Sequence, residues 1–539
     1  MQWTRPTNDQ QSSVEMNDKI TQIIVLGGGT AGWLTAAIIA AEHRISSAGD
    51  PDSHAFQLTL VESPDIPTIG VGEGTWPSMR STLQKIGVSE TDFLRECSAS
   101  FKQGTFFQNW LNDNDDSFGH PFTVPHSYAE MNLAAHWQTN YSDRRFADVV
   151  SPQTALFADH LAPKQITTPE YAFSVNYGYH LDAGKFAEFL CRHCIENLGI
   201  THITANVTAV ESTDNGDIKA IRTDRDDEIQ GDLFIDCSGS RALLLAQHYK
   251  IPFEPVNDIL FNNTALAVQV PYKQQDAQIH SCTLSTARDA GWIWDVGLPT
   301  RRGVGYTYSD AHQSEEQAAD TLVDYVASIE GNAAAKQVSA RKISFSPGFR
   351  SKFWHRNCVA VGMSSGFIEP LEASALVMVE LAATMIAEQL PANRSVMDLV
   401  ARQFNEKCRH RWNRIIEFLK LHYILSDKEQ PYWRDNRVEA SIPIALQESL
   451  QLWRYQSPWH LDSTLVGDLF PSASYQYILY GMHFQTQPRH TKRRNEAQNA
   501  VVADRLIQEN AQRIKGLKSA LPTNSELLQK VYEYGFQKI

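Results

Sequence analysis

The stretch KITQIIVLGGGTAGWLTAAIIAAEH, residues 19 to 43, carries the strongest fold signal in the chain. It predicts a short buried strand, a glycine-rich turn and a helix with apolar residues on most faces. Gly27, Gly29 and Gly32 have the spacing G-x-G-x-x-G between that strand and that helix, which is typical of a dinucleotide-binding turn. The first glycine permits the tight turn, the second lets the backbone approach a pyrophosphate, and the third lets helix and strand pack closely. The alternative is a glycine turn that binds no ligand.

A carboxylate at the end of the next predicted strand strengthens the dinucleotide interpretation. FQLTLVES, residues 56 to 63, predicts a strand that ends near Glu62. A carboxylate there accepts hydrogen bonds from an adenosine ribose, which favours FAD or NAD over a 2′-phosphorylated nucleotide. Far downstream, ITHITANVTAVES carries Val207, and GDLFIDCSGSRALL ends a strand at Asp236. A strand and turn that return to the nucleotide after a long insertion are usual in FAD-dependent oxidoreductases, so we expect FAD.

Length and charge narrow the class of protein. The 539 residues exceed what one simple core accommodates, so we expect two or more modules. The formal net charge of −14 argues against a nucleic-acid partner, because no net positive field attracts phosphates. The polar first twenty residues do not look like a signal peptide, and no apolar run approaches the roughly 18 residues that span a bilayer. We therefore expect a cytoplasmic protein without membrane contact.

The cysteines do not predict disulfides or a metal site. Seven cysteines, an odd number in a long chain, are not typical of a disulfide framework. Cys191 and Cys194 of CRHC lie in KFAEFLCRHCIENLGI, whose apolar spacing predicts an amphipathic helix. No second cysteine pair follows at a zinc-ribbon distance, so we expect ordinary helix residues and no metal.

The stretch GWIWDVGLP, residues 291 to 299, places two tryptophans one residue apart. In a strand, residues i and i+2 point to the same face, so Trp292 and Trp294 line one side of one wall. That wall is either ordinary core or the lining of a chamber. The spacing alone favours the core.

Further stretches follow in a fixed order along the chain. They are IPTIGVGEGTWPS at 66–78, HLDAGKFAEFL at 180–190, DLFIDCSG at 232–239, GMSSGFIEPLEAS at 362–374, and LHYILSD with QPYW between 421 and 433. Together with GGGTAGW at 27–33 and GWIWDVGLP, they resemble the flavin-dependent tryptophan halogenase family. The resemblance extends from about residue 22 to 525, and its most specific pieces are the double-Trp strand and IEPLE.

The resemblance implies a fold class and a cofactor site. The expected fold is α/β, an FAD-binding Rossmann-like body with a second β-sheet region and a mainly helical C-terminal module. The residues expected to contact FAD are Gly27, Gly29, Thr30, Ala31, Gly32, Trp33, Glu62, Val207, Asp236, Gly362, Ser374 and Ala375.

The resemblance also implies a reaction. A separate NAD(P)H-dependent flavin reductase supplies FADH2, which with O2 and a halide (chloride or bromide) yields hypohalous acid. This oxidant passes through a tunnel to an electron-rich ring. GWIWDVGLP is similar to the family motif W-x-W-x-I-P, with Val296 in the Ile place and Gly297 in the Pro place. The resemblance therefore reverses the interpretation of Trp292 and Trp294, from core to tunnel wall.

Glu372, the second acid of IEPLE, matches the family's glutamate, which stabilises the cationic ring intermediate or takes its proton. We expect Glu369 to be structural. The alternative is that either acid only caps or braces the start of the helix that follows. The backbone N–H groups of Ser374 and Ala375 at that helix start would hold the halide, although the family more often has Thr-Gly there.

The family's lysine has no direct match. Counted from Glu73, its position falls on Ser81, and Lys85 lies one helical turn further on. Lys85 is therefore our candidate, because it points to about the same helix face as Ser81. The alternatives are that Lys85 is a solvated helix residue, or that the chain lacks the usual catalytic lysine. Lys102 in ASFKQG matches another family lysine that is not usually assigned catalysis.

The substrate pocket differs from that of tryptophan-specific relatives. In LFPSASYQYILYGMHF, Phe470 stands where those relatives have a Trp, and Tyr475 and Tyr477 are further aromatic candidates. Free tryptophan, a simpler indole, a phenol or a peptidyl ring are all possible substrates.

We expect two parts in the chain. Residues 1–395 form the FAD-binding body, with the nucleotide motif at 23–62, returning strands at 200–245 and the flavin and halide segment at 355–380. A second sheet is expected around TALAVQVPY and GVGYTYS. Residues 396–539 form a helical module that roofs the substrate pocket, and its charged helix near 489–521 is a solvated surface or a homodimer contact.

The leading hypothesis is an FADH2-dependent halogenase of a small aromatic substrate. An FAD-dependent aromatic monooxygenase of the same fold is the first alternative, since the lysine and proline positions depart from the family. A non-catalytic flavin-binding protein is the second, although Glu372 and the nucleotide motif are intact.

Overall fold

The structure is a computed structural model that describes residues 19–43, 45, 56–66, 72–274, 276–460, 462, 469–487, 491 and 494–537. Helices and sheets alternate in the α/β arrangement that the sequence predicts. The strands are β1 (Gln22–Leu26), β2 (Gln57–Glu62), β3 (Gly72–Gly74), β4 (Ser100–Lys102), β5 (Gly104–Gln108), β6 (Ser117–Pro121), β7 (Gly178–Asp182), β8 (Thr201–Thr204), β9 (Val207–Ser212), β10 (Ile218–Thr223), β11 (Glu228–Gln230), β12 (Leu233–Asp236), β13 (Phe253–Pro255), β14 (Thr264–Pro271), β15 (Thr283–Arg288), β16 (Gly291–Gly297), β17 (Arg301–Tyr308), β18 (Arg341–Ser344), β19 (Gly348–Arg350), β20 (Trp354–His355), β21 (Cys358–Ala360) and β22 (Gly366–Phe367).

The α-helices are α1 (Thr30–Glu42), α2 (Ser78–Lys85), α3 (Glu90–Glu96), α4 (Ala134–Asn140), α5 (Phe146–Val150), α6 (Gln153–Ala158), α7 (Ala183–Leu198), α8 (Glu315–Glu330), α9 (Asn332–Ala335), α10 (Ser374–Glu388), α11 (Arg394–Ile424), α12 (Pro431–Asn436), α13 (Ile444–Trp453), α14 (Ser472–Gly481), α15 (Glu496–Ala520) and α16 (Asn524–Tyr534).

A six-stranded sheet of order β20-β21-β12-β1-β2-β8 forms the nucleotide end. Its neighbouring strands are parallel except for β20 and β21. The central strand β1 buries Ile23, Ile24, Val25 and Leu26 on both faces, as parallel strands covered by helices do. Helix α1 packs between α7 and α10 over this sheet. The predicted nucleotide strand, turn and helix are therefore confirmed.

A seven-stranded sheet of order β18-β14-β17-β16-β15-β5-β6 is the predicted second sheet. Helix α8 covers one face, where Leu322 and Val326 pack with Ile293 and Tyr306. Trp292 and Trp294 lie on the opposite face, within the main core. A small sheet, β3-β7-β4, lies between this sheet and α10, and a side-chain carbon at Gly72 would lie 2.6 Å from Val296.

The long helix α11 of 31 residues begins at Arg394, after Asn393 accepts a hydrogen bond from the Val396 N–H. The boundary expected at 395/396 thus lies just inside a helix, and the division into two parts stays a prediction. The charged stretch forms α15, which buries Ala503, Leu506 and Ile507. A dimer contact there also stays a prediction.

Within the described ranges, no helix is long and apolar enough to cross a membrane. All seven cysteines are free, and the CRHC pair lies in α7 as expected.

Candidate functional site

A cavity of about 980 Å³ opens at the carboxyl ends of β1 and β2. Its volume is at the upper end of the roughly 300–1,000 Å³ that ligand pockets occupy. We call it the nucleotide cavity. Of the residues expected to contact FAD, those that line it are Gly27, Gly29, Thr30, Ala31, Trp33, Glu62, Val207, Gly362, Ser374 and Ala375.

The glycine turn is shaped for a ligand backbone. A side-chain carbon at Gly29 would meet no atom within 4 Å, so this position opens into the cavity. A side-chain carbon at Gly28 would overlap the carboxylate of Glu62, a constraint that sequence reasoning missed. His202 Nε2 lies 3.3 Å from Glu62 Oε1 on the other side of that carboxylate. These groups fit a dinucleotide, with room for phosphates at Gly29 and a carboxylate for a ribose.

Asp236 and Gly32 do not line the cavity, so their contact with the cofactor stays a prediction. Asp236 is fully buried and accepts hydrogen bonds from the backbone N–H groups of Leu244 and Leu245, both at 2.9 Å. It therefore orders the turn whose Ser238 and Gly239 do line the cavity. Gly32 instead lets α1 approach β1, since a side chain there would overlap the Gly27 carbonyl.

The IEPLE segment ends in a strained turn. Glu372 and Ala373 have φ values of 66° and 53°, in the left-handed region that non-glycine residues seldom adopt. Trp76 Nε1 donates to the Glu372 carbonyl oxygen at 2.7 Å and holds the turn. Helix α10 starts directly afterwards, so Ser374 and Ala375 supply first-turn N–H groups beside the cavity.

The Glu372 side chain is bound by two histidines. It is buried, and its Oε1 lies 2.8 Å from His120 Nδ1 and 3.1 Å from His422 Nε2. His120 comes from β6 and His422 from α11. Burial alone would raise the pKa of Glu372, but the two imidazoles hold it well below its usual range. This carboxylate is thus held ionised although it is buried.

The structure does not bring Lys85 to Glu372. Lys85 is the last residue of α2, its side chain is 40% exposed, and its ammonium pairs with Glu42 of α1. Lys85 is exposed like Ser81, in keeping with the shared helix face, but that face meets Glu42 of α1 and not Glu372. Lys85 is therefore the wrong candidate for a lysine beside Glu372.

Lys102 is the lysine beside Glu372. It is 1% exposed on β4, and its Nζ lies 2.9 Å from the position of a side-chain carbon at Gly74. The same position lies 3.3 Å from the side chain of Ala373, the residue after Glu372. Burial lowers the pKa of Lys102 to about 8, and the negative charge of Glu372 opposes that shift.

Strand β3 lies between the nucleotide cavity and the surroundings of Glu372. Successive side chains of a strand point to opposite faces. Glu73 lines the nucleotide cavity, and burial raises its pKa to about 7. Gly74, the next residue, lies against Lys102. The strand and the 372–375 turn therefore each touch the cavity on one side and the Glu372 surroundings on the other.

Aromatic rings close the space around the histidines. Phe470 stacks on Phe418 with ring centroids 3.8 Å apart and meets Trp76 at 4.9 Å. Phe418 in turn contacts His422 at 5.1 Å, and Tyr475 at 4.9 Å. The structure thus brings the predicted Phe470 and Tyr475 close to Glu372. We call Lys102, His120, Glu372, Phe418, His422 and Phe470 the Glu372 cluster.

Trp292 and Trp294 are 2% and 8% exposed. Neither residue lines the nucleotide cavity. Trp292 Nε1 donates to Glu369 Oε2 at 2.8 Å, and the Trp294 ring lies across Gly305 of β17. Glu369 also accepts a hydrogen bond from Tyr423 at 2.7 Å, and burial raises its pKa. A tunnel beside the two indoles stays a prediction.

The family model for tryptophan halogenases matches residues 22–498. The chain belongs to the tryptophan halogenase family. It is therefore an enzyme, a flavin-dependent oxidoreductase of a family that uses FAD and a halide.

Relatives of this halogenase cover nearly all of it. The tryptophan 6-halogenase ThaL of Streptomyces albogriseolus is 28% identical over 547 residues, which cover 96% of this chain and 99% of the relative. The 7-chloro-L-tryptophan 6-halogenase KtzR of Kutzneria sp. is 32% identical over 487 residues, 85% of this chain and 90% of the relative. The crystal structure of a tryptophan halogenase from Shewanella frigidimarina has a TM-score of 0.92 at 49% identity and covers 97% of this chain and 100% of that chain.

Sequence reasoning missed three members of the Glu372 cluster. Lys102 was noticed but not favoured, because only the folded chain shows that β4 carries it beside Glu372. His422 lies inside the quoted LHYILSD, where a histidine on an apolar helix gave no separate signal. His120 in FGHPF reaches Glu372 only through the pairing of β5 with β6.

Proposed function

We propose that the chain is an FADH2-dependent halogenase of an electron-rich aromatic ring, such as tryptophan, indole or a related compound. Oxidant formation and ring halogenation would occur in separate compartments, the nucleotide cavity and the Glu372 cluster. The observation that carries the proposal is the double-sided position of β3 and the 372–375 turn. Glu73 of β3 and Ser374 of the turn line the cavity. Gly74, next to Glu73, lies against Lys102, and Glu372 of the same turn belongs to the Glu372 cluster.

The cavity residues would bind the cofactor and the halide. Gly27 to Gly29 and the N-terminus of α1 face the diphosphate, and Glu62 accepts from a ribose. The N–H groups of Ser374 and Ala375 hold the halide at the start of α10, where the helix dipole favours an anion. Reduced FAD, delivered by a separate flavin reductase, supplies hypohalous acid from O2 and that halide.

Lys102 would carry the halogen to the ring. Its neutral amine attacks the halogen of hypohalous acid, so that a nitrogen–halogen bond forms and hydroxide leaves as water with the amine's proton. Because the pKa of Lys102 is lowered to about 8, an appreciable fraction of the amine is neutral near physiological pH. An exposed lysine would stay protonated, and its ammonium group has no lone pair with which to attack hypohalous acid.

Glu372 would complete the substitution. A ring carbon takes the halogen from Lys102, and the cationic ring that results is stabilised by the ionised carboxylate. The carboxylate then takes the ring proton, and the amine regains its own proton from solvent. Phe470 and Tyr475 supply aromatic faces against which the substrate ring stacks.

The test is a reconstituted reaction. Purified protein is combined with FAD, NADH, a flavin reductase, bromide or chloride, and a panel of indoles and phenols, and products are identified by mass spectrometry. We expect a mono-halogenated ring that is lost in Glu372→Gln. An oxygenated product without halogen would instead support the aromatic monooxygenase, and no product from any ring would refute both.

A further inference from the structure

His422 occupies a position that suits a cation. It is completely buried, in the last turn of α11, where the free carbonyl groups of a helix end favour positive charge. Aromatic rings surround it, with centroids of Phe107, Phe418 and Trp110 at 5.2, 5.1 and 6.0 Å.

The hydrogen bonds of the two histidines differ. The Nδ1 of His422 lies 2.9 Å from the backbone carbonyl oxygen of Phe418, and its Nε2 lies 3.1 Å from Glu372 Oε1. A carbonyl oxygen only accepts, and so does an ionised carboxylate, so both ring nitrogens of His422 need a hydrogen. A neutral imidazole has only one.

His120 has no such requirement. Its Nδ1 lies 2.8 Å from Glu372 Oε1, and its Nε2 lies 2.9 Å from the hydroxyl of Ser474 on α14. A hydroxyl group donates as well as accepts, so a neutral His120 satisfies both contacts. The titratable groups that face Glu372 are therefore His120 from β6, His422 from α11 and Lys102 from β4.

We propose that His422 is the positively charged counter-ion of Glu372 and a positioning residue for the halogenation. It fixes Oε1 and keeps the carboxylate ionised, so that Oε2 is free for the ring and Lys102 is not needed as the counter-charge. This inference rests on the proposed role of Glu372. Removing one partner of a buried ion pair strongly destabilises the protein, because the other charge is left buried without compensation. The pair can therefore be tested by replacing either residue.

The first test needs no turnover. In the protein labelled with ¹⁵N-histidine, we expect a histidine signal with hydrogens on both ring nitrogens at pH 8, where exposed histidines are neutral. That signal should vanish in His422→Gln and persist in His120→Gln. It should also revert to a neutral ring in Glu372→Gln, which leaves His422 in place. A signal that is absent in the wild type, or is lost in His120→Gln, would overturn the proposal.

The second test is the pH profile of halogenation. Glutamine at either position keeps an N–H donor for Glu372, but only His422→Gln removes the charge. Lys102 sets the acid limb near pH 8, and without the charge of His422 its ammonium becomes the counter-charge of Glu372. We therefore expect the limb to move up by about one pH unit in His422→Gln, while His120→Gln lowers the rate without moving the limb. Equal shifts in both variants would refute a charged His422. Loss of halogenation in the wild type, with the NMR signal present, would count against the proposed function alone.

Discussion

The nucleotide cavity and the Glu372 cluster are built in opposite ways. The cavity is an open space, and the Gly27–Gly29 turn and the first helix turn that line it come from one contiguous stretch. The cluster is closed, and its side chains come from β4, β6, α11, the turn before α10 and the segment before α14. A site like the nucleotide cavity can therefore be predicted from a sequence motif. A site like the Glu372 cluster can be predicted only once the arrangement of strands and helices is known.

The largest expected effect separates the two lysines. Lys102→Met keeps the length of the side chain but removes the amine that we propose as the halogen carrier. We expect product formation to fall by about a thousandfold, within the range for loss of a group that acts directly on the reaction, about 4 kcal/mol. Product is measured by mass spectrometry under the reconstituted conditions.

Lys85→Met is the matched control for Lys102→Met. Its surface ion pair with Glu42 contributes little to stability, so we expect an unchanged rate. If Lys85→Met abolishes the product and Lys102→Met does not, the placement of the halogen carrier at β4 is wrong.

The next effect tests the cavity. In Gly28→Ala the new methyl group overlaps the Glu62 carboxylate, which must leave the place where it meets a ribose. We expect the affinity for FAD to fall by about thirtyfold, about 2 kcal/mol. Fluorescence titration measures the affinity, and circular dichroism checks the fold.

A double-mutant cycle identifies the cause of that loss. In a Glu62→Gly background the added methyl group meets neither the carboxylate nor the Cβ of residue 62, which lies 2.5 Å from its position, so Gly28→Ala should then cost much less. Additive losses in the double variant would show that Gly28 acts through the turn and not through Glu62.

A smaller effect concerns the charge of Lys102. Burial lowers its pKa to about 8, so the neutral amine grows from a small to a large fraction between pH 7 and 9. With reductase in excess, the halogenation rate should rise by about tenfold over that range, with a midpoint near pH 8. A rate that falls over the same range would mean that the ammonium, and not the amine, takes part.

The sequence predicted the nucleotide end in detail because consecutive residues build it. Strand, turn, helix and Glu62 follow from periodicity and spacing within 45 residues, 19 to 63. Lys85 was favoured because counting along one helix cannot show that α2 faces α1 there. Lys102, His120 and His422 meet only after three separate elements pack around Glu372, and no local pattern encodes that meeting.

The smallest effect tests the helix that joins the two regions. Helix α10 touches the cavity at Ser374, and further along it Glu380 accepts hydrogen bonds from Ser78 and Thr82 of α2. Burial raises the pKa of Glu380 to about 7, above the roughly 4.3 of an unfolded chain. The folded state therefore holds the extra proton, and stability falls as pH rises from about 4.3 to 7.

Glu380→Gln has no such proton to lose, so we expect it to raise Tm by a few degrees at pH 8 and to change it little at pH 5. Exposed Glu388 at the end of the same helix gives the control, because Glu388→Gln should leave the Tm–pH curve parallel to the wild type. Parallel curves for Glu380→Gln as well would mean that the α2–α10 contact holds an ionised carboxylate.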